Sequence, residues 1–364
     1  MEIFYKEYDT NLRCTNVSYN CLDRHISSMS NKHETALLWD GNFWDEDIHD
    51  YADITWETVD VLTNKIANVF KQYCKIGDNV LLYLHNVMQL PISILAASRI
   101  GVVSVLLNPA TATLSELTAI LKMSHPKLVV TVDGFWQAHE LFETKKQLDK
   151  AIEDAQTSSI GRVLVIRHNG PNPGIPPPER VYPGRRPCYL LKVPMNDEMD
   201  TLWSEQIAKA SNRCEPEWLH ANHPFAIIPK WDRTLSLRTV TTEQCLQALW
   251  KMSPYILSPC LALAHPQTAF GLIGYMAPWF SRSTLTTFEG TLNHPDPSRL
   301  KHIIVKFELA SAILPKCHLN SEYMRMVAAP TLARTVIEQG NKHDMEMHFS
   351  DIDIVELNVE ECLK

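Results

Sequence analysis

Glycine is scarce in this sequence, which limits the phosphate-binding motifs that the chain could contain. Its 364 residues include 12 glycines, and none lies between Gly184 and Gly271; average usage is about 7%. Loops that cradle phosphate groups depend on glycine, because it lets the backbone approach closely and turn its N–H groups toward oxygen. The chain has no Walker loop, no G-x-G-x-x-G fingerprint and no G-x-S-x-G elbow.

Paired cysteines are also missing. The nine cysteines are scattered and none belongs to a C-x-x-C pair, which argues against a disulfide framework and against a zinc site of that kind. The first residues, Met-Glu-Ile-Phe-Tyr-Lys-Glu, lack the charged-then-apolar pattern of a signal peptide. We therefore expect reduced cysteines and a location in the cytosol or the nucleus.

Clustered positive charge and long apolar runs are absent as well. The formal net charge is −8, whereas nucleic-acid binding by bulk electrostatics needs clustered positive charge. The one basic cluster, Arg180, Arg185 and Arg186, lies in a proline-rich stretch and is typical of a solvated loop. No segment approaches the ~20 apolar residues of a membrane span. We expect neither nucleic acid nor a membrane as a partner.

Apolar periodicity predicts alternating helices and strands in the first half of the chain. Residues 55–77 have helical spacing, with Gly77 as the expected C-cap. The elements predicted after it are strand 80–84, helix 88–100, strand 102–107, a helix opened by a capping box at 113–116, strand 128–132, helix 141–155 and strand 163–166. This alternation predicts an α/β fold in which strands 80–84, 102–107 and 128–132 are parallel and adjacent.

The second half is less regular. Residues 169–187 contain seven prolines and are predicted to form a surface loop, because proline cannot donate to a strand ladder; the spacing Pro173-x-x-Pro176 also fits an SH3-type groove. Helices are predicted near 199–210, 242–251 and 297–307, and apolar residues from Ile352 to Val359 favour a strand in the acidic last segment. The predicted organisation is a first α/β subdomain (1–168), a proline-rich linker (169–194), a second, degenerate α/β subdomain (195–326) and a divergent acidic segment (327–364).

Several blocks of residues resemble one enzyme family. Residues 16–25, N-V-S-Y-N-C-L-D-R-H, are similar to the N-terminal signature block of acetyl-CoA synthetases. Further blocks resemble the same family in the same order, namely 36–41, 54–56, 77–80, 97–101, 214–218, 288–290 and 295–300. The resemblance spans about 16–326 and is strongest up to Asp133.

The resemblance implies a fold and a chemistry. It implies parallel-sheet subdomains like those in the N-terminal domain of adenylate-forming enzymes. Acetyl-CoA synthetases join acetate to ATP, release pyrophosphate and pass the acetyl group from the adenylate to CoA, and their small C-terminal domain rotates between these steps. No counterpart of that small domain is expected here, so the resemblance implies a degenerate and truncated relative that covers the N-terminal half.

The phosphate loop of the family is strongly altered. In the family it has the form T-S-G-S-T-G-K-P-K-G, and counting without gaps from Phe225 places it at residues 229–238. This stretch has no glycine, Asp232 brings negative charge and Trp231 fills space. Lys230, Arg233 and Arg238 can attract an anion, but no preorganised amide cradle accompanies them. A different loop geometry that restores binding is the open alternative.

The other substrate elements are also altered. After Asp133-Gly134 the family has arginines that hold a CoA phosphate, whereas this chain has none in residues 135–140; His139 is a weak substitute or a solvated helix-start histidine. The family's W-W-Q-T-E-T motif supplies the acetate-pocket tryptophan and a magnesium-associated glutamate, and nothing after Met326 resembles it. We expect no intact catalytic, cofactor-binding or metal-binding residue, no cofactor, and no useful binding of ATP or CoA.

Two other constellations are weak candidates. His220-x-x-His223, with Cys214 upstream, fits two metal ligands on one helical face, but Pro216 and Pro224 disfavour a continuous helix. Cys317 and His318 are neighbours in sequence, whereas a nucleophile and its base usually meet through the fold.

The sequence therefore predicts a catalytically inactive acetyl-CoA synthetase-like protein that acts, if at all, by binding an unidentified protein partner. Two alternatives stay open. One is an acetate–CoA ligase that forms acetyl-CoA through acetyl-adenylate, with a second chain completing its site. The other is a truncated product without function.

Overall fold

Two seven-stranded sheets form the framework of the protein. The computed structural model describes residues 2–7, 13–45, 49–171, 174, 176–315, 331–338 and 352–363. The strands are β1 (Lys6–Glu7), β2 (Arg13–Thr15), β3 (Thr35–Trp44), β4 (His49–Thr55), β5 (Asn79–Tyr83), β6 (Val103–Leu107), β7 (Leu128–Val132), β8 (Phe135–Gln137), β9 (Glu140–Phe142), β10 (Arg162–Ile166), β11 (Asp200–Leu202), β12 (Leu219–His220), β13 (Pro224–Trp231), β14 (Leu235–Thr241), β15 (Cys260–Ala262), β16 (Leu285–Phe288), β17 (Ser311–Leu314), β18 (Arg334–Glu338) and β19 (Asp353–Leu357).

Helices connect most of these strands. They are α1 (Arg24–Ile26), α2 (Trp56–Phe70), α3 (Gln89–Arg99), α4 (Leu114–Ser124), α5 (Thr144–Ala155), α6 (Trp203–Lys209), α7 (Thr242–Met252), α8 (Ala269–Phe280), α9 (Arg299–Lys306) and α10 (Val359–Cys362). A π-helical turn, Tyr19–Asp23, precedes α1, and a 3₁₀ turn, Ser253–Tyr255, follows α7. Within the described ranges, no helix has the length and apolar character needed to cross a membrane.

Sheet I contains the strands predicted from the first half of the chain. Its order is β11-β10-β7-β5-β6-β13-β14, and every neighbouring pair is parallel except β13–β14. Strand β5 lies between β6 and β7, with Val80 opposite both Ser104 and Leu128. The predicted parallel arrangement of these three strands is confirmed. Their near-continuous apolar composition reflects burial on both faces, which is typical of parallel sheets.

Sheet II is also mostly parallel, but its strands come from both ends of the chain. Its order is β19-β18-β17-β15-β16-β3-β4, parallel throughout except for the β3–β4 pair. The predicted strand in the acidic last segment is present as β19. Strands β3 and β4 precede the strands of sheet I in sequence, so the predicted 1–168 subdomain supplies strands to both sheets.

Local signals predicted some helix ends and missed others. Helix α4 has the predicted capping box, in which Thr113 and Glu116 bond each other's backbone. Helix α2 ends at Phe70, so the prediction of Gly77 as its C-cap is wrong. Gly77 instead has φ +86° in the turn before β5, where its N–H donates to the Gly101 carbonyl at 2.8 Å.

Two further boundaries differ because strand pairing replaces helix. Helix α5 begins at Thr144, since β9 pairs with β8 over the residues expected to start it. Helix α6 covers 203–209 only, because β11 joins the edge of sheet I beside β10. In each case a neighbouring strand offers backbone hydrogen bonds that the local sequence does not reveal.

The proline-rich stretch lies mainly on the surface, as predicted. Most of its described residues are exposed and none forms a strand, while Asn169 and Gly184 are buried. Pro173, which begins the SH3-type spacing, lies outside the described residues.

A large apolar cluster joins the two sheets. It includes residues of β5, β7, β15 and β16 together with α2, α3, α7 and α8. Helix α8 is buried along its whole length, and the Trp279 indole Nε1 donates to the Ala36 carbonyl at 2.8 Å. The shared core holds the carboxyl ends of both sets of strands around one cavity.

Candidate functional site

A cavity of about 760 Å³ lies where the carboxyl ends of the parallel strands meet. Residues that directly follow strands of both sheets line it: His85 and Asn86 after β5, Asn108 after β6, His265 after β15 and Glu289 after β16. Ligands of open α/β sheets bind at this end of the strands, because the loops there are free to carry chemistry. This position makes the cavity the candidate functional site.

An amide wall bounds one side of the cavity. The Asn108 backbone N–H donates to Gln267 Oε1 at 2.9 Å, and Gln267 Nε2 donates to Thr111 Oγ1 at 3.0 Å. Gln267 precedes α8, so this side chain links a loop of sheet I to a loop of sheet II.

His265 is held as a neutral imidazole. Its Nε2 lies 2.8 Å from the Leu84 carbonyl, and its Nδ1 lies 3.1 Å from the Gln267 N–H. A carbonyl accepts and an N–H donates, so the proton is on Nε2. Burial lowers the pKa of His265 to about 3, although the Leu84 carbonyl acts in the opposite direction.

A cluster of two histidines and a carboxylate lies at the edge of the cavity. His168 Nε2 is 2.8 Å from Glu289 Oε1, and His85 Nε2 is 3.1 Å from the same oxygen. All three side chains are nearly inaccessible to solvent. The Phe135 ring stacks on the His85 imidazole with centroids 3.9 Å apart.

The charge of this cluster is set by competing effects. Burial opposes the negative charge of Glu289, but His168 and His85 outweigh it and hold the pKa of this carboxyl well below its ordinary value. Burial lowers the pKa of His85 to about 4, against the pull of Glu289. Glu289 is therefore a buried carboxylate at neutral pH, next to a neutral His85.

The proline-rich stretch contacts this cluster through Arg186. Its Nη1 lies 3.2 Å from His168 Nδ1, its Nε lies 3.2 Å from Asp50 Oδ2, and its guanidinium lies 4.8 Å from the Trp39 ring centre. Because arginine is always a donor, His168 Nδ1 is an acceptor here and its proton is on Nε2, directed at Glu289.

The Asp133 carboxylate stabilises the backbone around His168. Its carboxylate accepts the backbone N–H groups of Gly134, His168, Asn169 and Gly170 at 2.7–3.0 Å. These bonds fix the turn after β10 that places His168. His139, the weak candidate for a CoA phosphate contact, lies with its ring edge-on to His294 at 4.5 Å.

Residues 229–238, aligned with the family's phosphate loop, form a tight β-hairpin. Lys230 pairs with Ser236 and Trp231 with Leu235, so the chain reverses over residues 232–234. Lys230 lies 3.5 Å from Asp232, and Arg238 forms an ion pair with Glu360. No residue of this hairpin is among the described residues that line the cavity.

Among the described residues, His220, His223 and Cys214 do not come together as a site. His220 Nδ1 accepts from the Asn222 N–H, whereas His223 Nε2 bonds the Gly101 carbonyl at 2.9 Å. Across the described ranges, the group of metal-ligating side chains that the fold assembles is His85, His168 and Glu289, and it includes neither His220, His223 nor Cys214. Cys317 and His318 lie outside the described residues.

Comparison with known proteins places the chain in a family. The sequence profile of the AMP-binding enzyme family matches residues 28–228. The chain belongs to this family. The acetyl-coenzyme A synthetase of Photobacterium profundum is 27% identical over 337 residues, which is 90% of this chain and 46% of that protein. An uncharacterized protein of Caenorhabditis elegans is 39% identical over 124 residues, 32% of this chain and 83% of that protein.

The fold agrees with this assignment. A crystal structure of a Brucella canis acyl-CoA synthetase superposes with a TM-score of 0.67 at 18% identity, covering 95% of this chain and 58% of that one. The chain spans about half the length of the acetyl-coenzyme A synthetases it matches. The predicted family and the predicted α/β fold are both confirmed.

Sequence reasoning missed the histidine–glutamate cluster. Glu289 stands in a family-like block that does not by itself indicate a role for this residue, and His85 and His168 are separated by more than 80 residues. A signal was present, since each histidine comes one or two residues after a predicted strand. Carboxyl ends of parallel strands converge, so polar residues at those positions are candidates for one site.

Proposed function

We propose that this chain is a catalytically inactive, acetyl-CoA synthetase-like member of the AMP-binding enzyme family that acts by binding a protein partner. The observation that carries the proposal is the hairpin at residues 229–238. It contains no glycine, pairs residues 229–231 with residues 235–237 across a tight turn, and contributes nothing to the described wall of the cavity. Phosphate-binding loops direct successive backbone N–H groups into one concavity, whereas the paired residues of this hairpin are held in extended conformation.

The altered loop weakens nucleotide binding. Each hydrogen bond to a charged group contributes roughly 1.5–3 kcal/mol. Losing three of them weakens nucleotide binding by roughly 4.5–9 kcal/mol, or about three to six orders of magnitude. Lys230, Arg233 and Arg238 are too weak to compensate, because exposed charge pairs contribute only about 0–1 kcal/mol each.

The charge of the cavity supports the same proposal. Its described lining includes the carboxylates Glu289 and Glu338 and neither lysine nor arginine. ATP, acetyl-adenylate and CoA are all anionic, so a wall of this charge opposes them.

Exposed aromatic side chains support binding to a protein. Trp231 at the hairpin and Trp250 at the end of α7 are 41% and 47% exposed. Tryptophan is enriched where proteins bind each other, because one ring buries a large apolar area. We place this activity in the cytosol or the nucleus, and we propose no role for nucleic acid or for a membrane.

Two measurements test catalytic inactivity. Calorimetry with MgATP should detect no binding at micromolar concentrations, and acetate-dependent pyrophosphate exchange should stay at background, with an active acetyl-CoA synthetase as positive control. Micromolar affinity for ATP, or exchange that disappears in the Lys230→Ala/Arg233→Ala double variant, would overturn the proposal.

The partner is tested separately by affinity capture of the intact chain from cells. Captured proteins that are lost with Trp231→Ala, but retained with Lys122→Ala on the exposed side of α4, would support the proposal. An identical set with both variants would count against a partner at this surface. Failure to detect the intact polypeptide in cells would favour a product without function.

The retained cavity favours one second candidate, an acetate–CoA ligase whose site is completed by another chain. This candidate requires pyrophosphate exchange that appears only when the second chain is added, and the exchange assay decides it.

A further inference from the structure

We infer that His85, His168 and Glu289 form a binding site for a divalent transition-metal ion, and that zinc is the ion that suits these donors best. The inference is independent of the proposed function, because it concerns a site that needs neither nucleotide nor CoA. It rests on the donor set, on donor atoms left without partners, and on access from the cavity.

The donor set is appropriate for zinc. Two imidazole nitrogens and one carboxylate oxygen are the protein ligands of many zinc sites that keep a fourth position open. The candidate donor atoms of the three residues all lie within 4.8 Å of one another. Ligands about 2.0–2.1 Å from a tetrahedral zinc ion are roughly 3.3 Å apart, so shifts of about 1 Å or less would bring these atoms around one ion.

Two buried ligating atoms of the cluster lack a hydrogen-bond partner among the described residues. These are His85 Nδ1 and Glu289 Oε2, while His85 Nε2 faces Glu289 Oε1 at 3.1 Å. The His85 side chain is buried, with 2% of its surface exposed. Buried polar atoms are almost always satisfied, and each exception in a folded protein calls for a cause such as an ion. A cation between His85 and Glu289 would satisfy both residues.

The cavity gives this site a route to solvent. His85 and Glu289 both belong to the wall of the 760 Å³ cavity. An ion held by the cluster would therefore lie at the edge of that space, with its fourth position available to water or to a small ligand. His168 is not among the described residues that line the cavity, and Asp133 fixes the backbone of residues 168–170.

Arg186 opposes binding of the ion. The change in zinc affinity when Arg186 is removed therefore tests the inference. Its donation to His168 Nδ1 places the imidazole proton on Nε2, the atom that a metal needs free. Metal binding therefore requires His168 to move its proton to Nδ1 and Arg186 to withdraw. Asp50, already 3.2 Å from Arg186 Nε, can continue to pair with the displaced guanidinium.

The alternative is a metal-free network in which His168 donates to Glu289 and Arg186 donates to His168. That network predicts that removing Arg186 weakens the hydrogen bonding within the cluster. The metal site predicts that removing Arg186 strengthens zinc binding, because a positive charge leaves and Nδ1 becomes free to donate to a neutral acceptor.

The experiment uses the full chain, stripped with chelator and titrated with zinc alone or cobalt alone. Zinc content after desalting, the zinc-dependent rise in Tm and the visible absorption of bound Co²⁺ are the readouts. We expect one equivalent of zinc in the wild type and tetrahedral Co²⁺ absorption. His85→Gln and Glu289→Gln should each lower affinity by at least ~100-fold, the upper end of the loss seen for outer groups that only orient a ligand. Arg186→Gln should raise it several-fold.

The matched control is His265→Gln, which changes another buried histidine of the same cavity and should leave zinc binding unchanged. Circular dichroism checks that each variant is folded. The inference is overturned if wild type and Arg186→Gln both retain under a tenth of an equivalent of zinc. It is also overturned if His85→Gln and Glu289→Gln bind as tightly as wild type. The Co²⁺ spectra of the wild type and of Arg186→Gln decide the matter even where the His85 or Glu289 variant fails to fold, since absence of tetrahedral absorption from both proteins rejects the site.

Discussion

Arg99 forms a two-pronged ion pair with Asp23, with Nη2 2.7 Å from Oδ1 and Nη1 2.8 Å from Oδ2. Asp23 belongs to the first family-like block and Arg99 to the block at 97–101. Asn16, also in the first block, contacts a third block, residues 214–218. Its Nδ2 donates to the carbonyls of Ser98 at 3.0 Å and Glu217 at 2.8 Å. These family-like residues hold α3 against the N-terminal turn, so the resemblance in this region is carried by structural contacts.

Removing Arg99 should therefore be costly. Arg99 is 4% exposed, and breaking a buried ion pair from one side leaves the other charge unpaired, which costs about 3–5 kcal/mol. We expect Arg99→Met to lower the free energy of unfolding by that amount in urea denaturation. Lys71→Met is the control: Lys71 and Glu217 are 3.3 Å apart but each is 42% exposed, so it should cost under about 1 kcal/mol. Equal losses in both variants would contradict this account.

Thr113 should contribute through its capping box. Its Oγ1 accepts the Glu116 N–H at 3.3 Å, and its own N–H donates to Glu116 Oε2 at 2.8 Å. Loss of such an N-cap costs about 0.5–2 kcal/mol. We expect Thr113→Ala to lower the free energy of unfolding by about 1 kcal/mol, while Thr113→Ser, which keeps the hydroxyl, stays close to wild type. A stable Thr113→Ala variant would show that α4 does not depend on its cap.

The sequence was sufficient to predict the elements that depend on residues close together along the chain. Apolar periodicity located β5, β6 and β7, and the spacing of Thr113 and Glu116 located the start of α4. It did not reveal where distant strands would pair. The edge strand β11 and the pairing of β8 with β9 shortened predicted helices, because each draws its hydrogen bonds from a partner strand.

The candidate site was harder to predict for a related reason. Residues 288–290 form a family-like block, but the partners of Glu289 follow β5 and β10, on the other sheet. Residues so far apart in sequence meet only because the shared core aligns the strand ends of both sheets. The loss of glycine at 229–238, in contrast, was visible directly, since it needs no knowledge of distant contacts.

Gly271 should tolerate no side chain. A Cβ at this position would clash with the His265 carbonyl oxygen, so the loop beneath α8 would have to move. Overpacking usually costs about 1–3 kcal/mol, and a backbone clash leaves no flexible side chain to yield. We expect Gly271→Ala to lower the free energy of unfolding by roughly 3 kcal/mol or more. Gly161→Ala is the control, since among the described residues the nearest atom to its Cβ would be the Lys127 carbonyl oxygen at 3.5 Å; a similar loss there would argue against the clash.

His25 should make stability depend on pH. Burial, together with the nearby Arg24 and Arg282, lowers its pKa to about 4, against the opposing effect of the Phe280 carbonyl that its Nε2 contacts at 3.1 Å. The ordinary histidine value is about 6.5. Between pH 6.5 and 4 the unfolded chain therefore binds a proton at His25 that the native chain does not bind.

Stability must then fall as the pH falls through this window. One such proton contributes a slope of up to ~1.4 kcal/mol per pH unit. We expect His25→Gln, whose amide can still donate to Phe280, to reduce the slope of unfolding free energy against pH by about that amount between pH 6 and 4.5. His33→Gln, at a side chain that is 77% exposed, should leave the slope at the wild-type value. If both variants retain the wild-type slope in urea titrations across this range, His25 is not the group responsible.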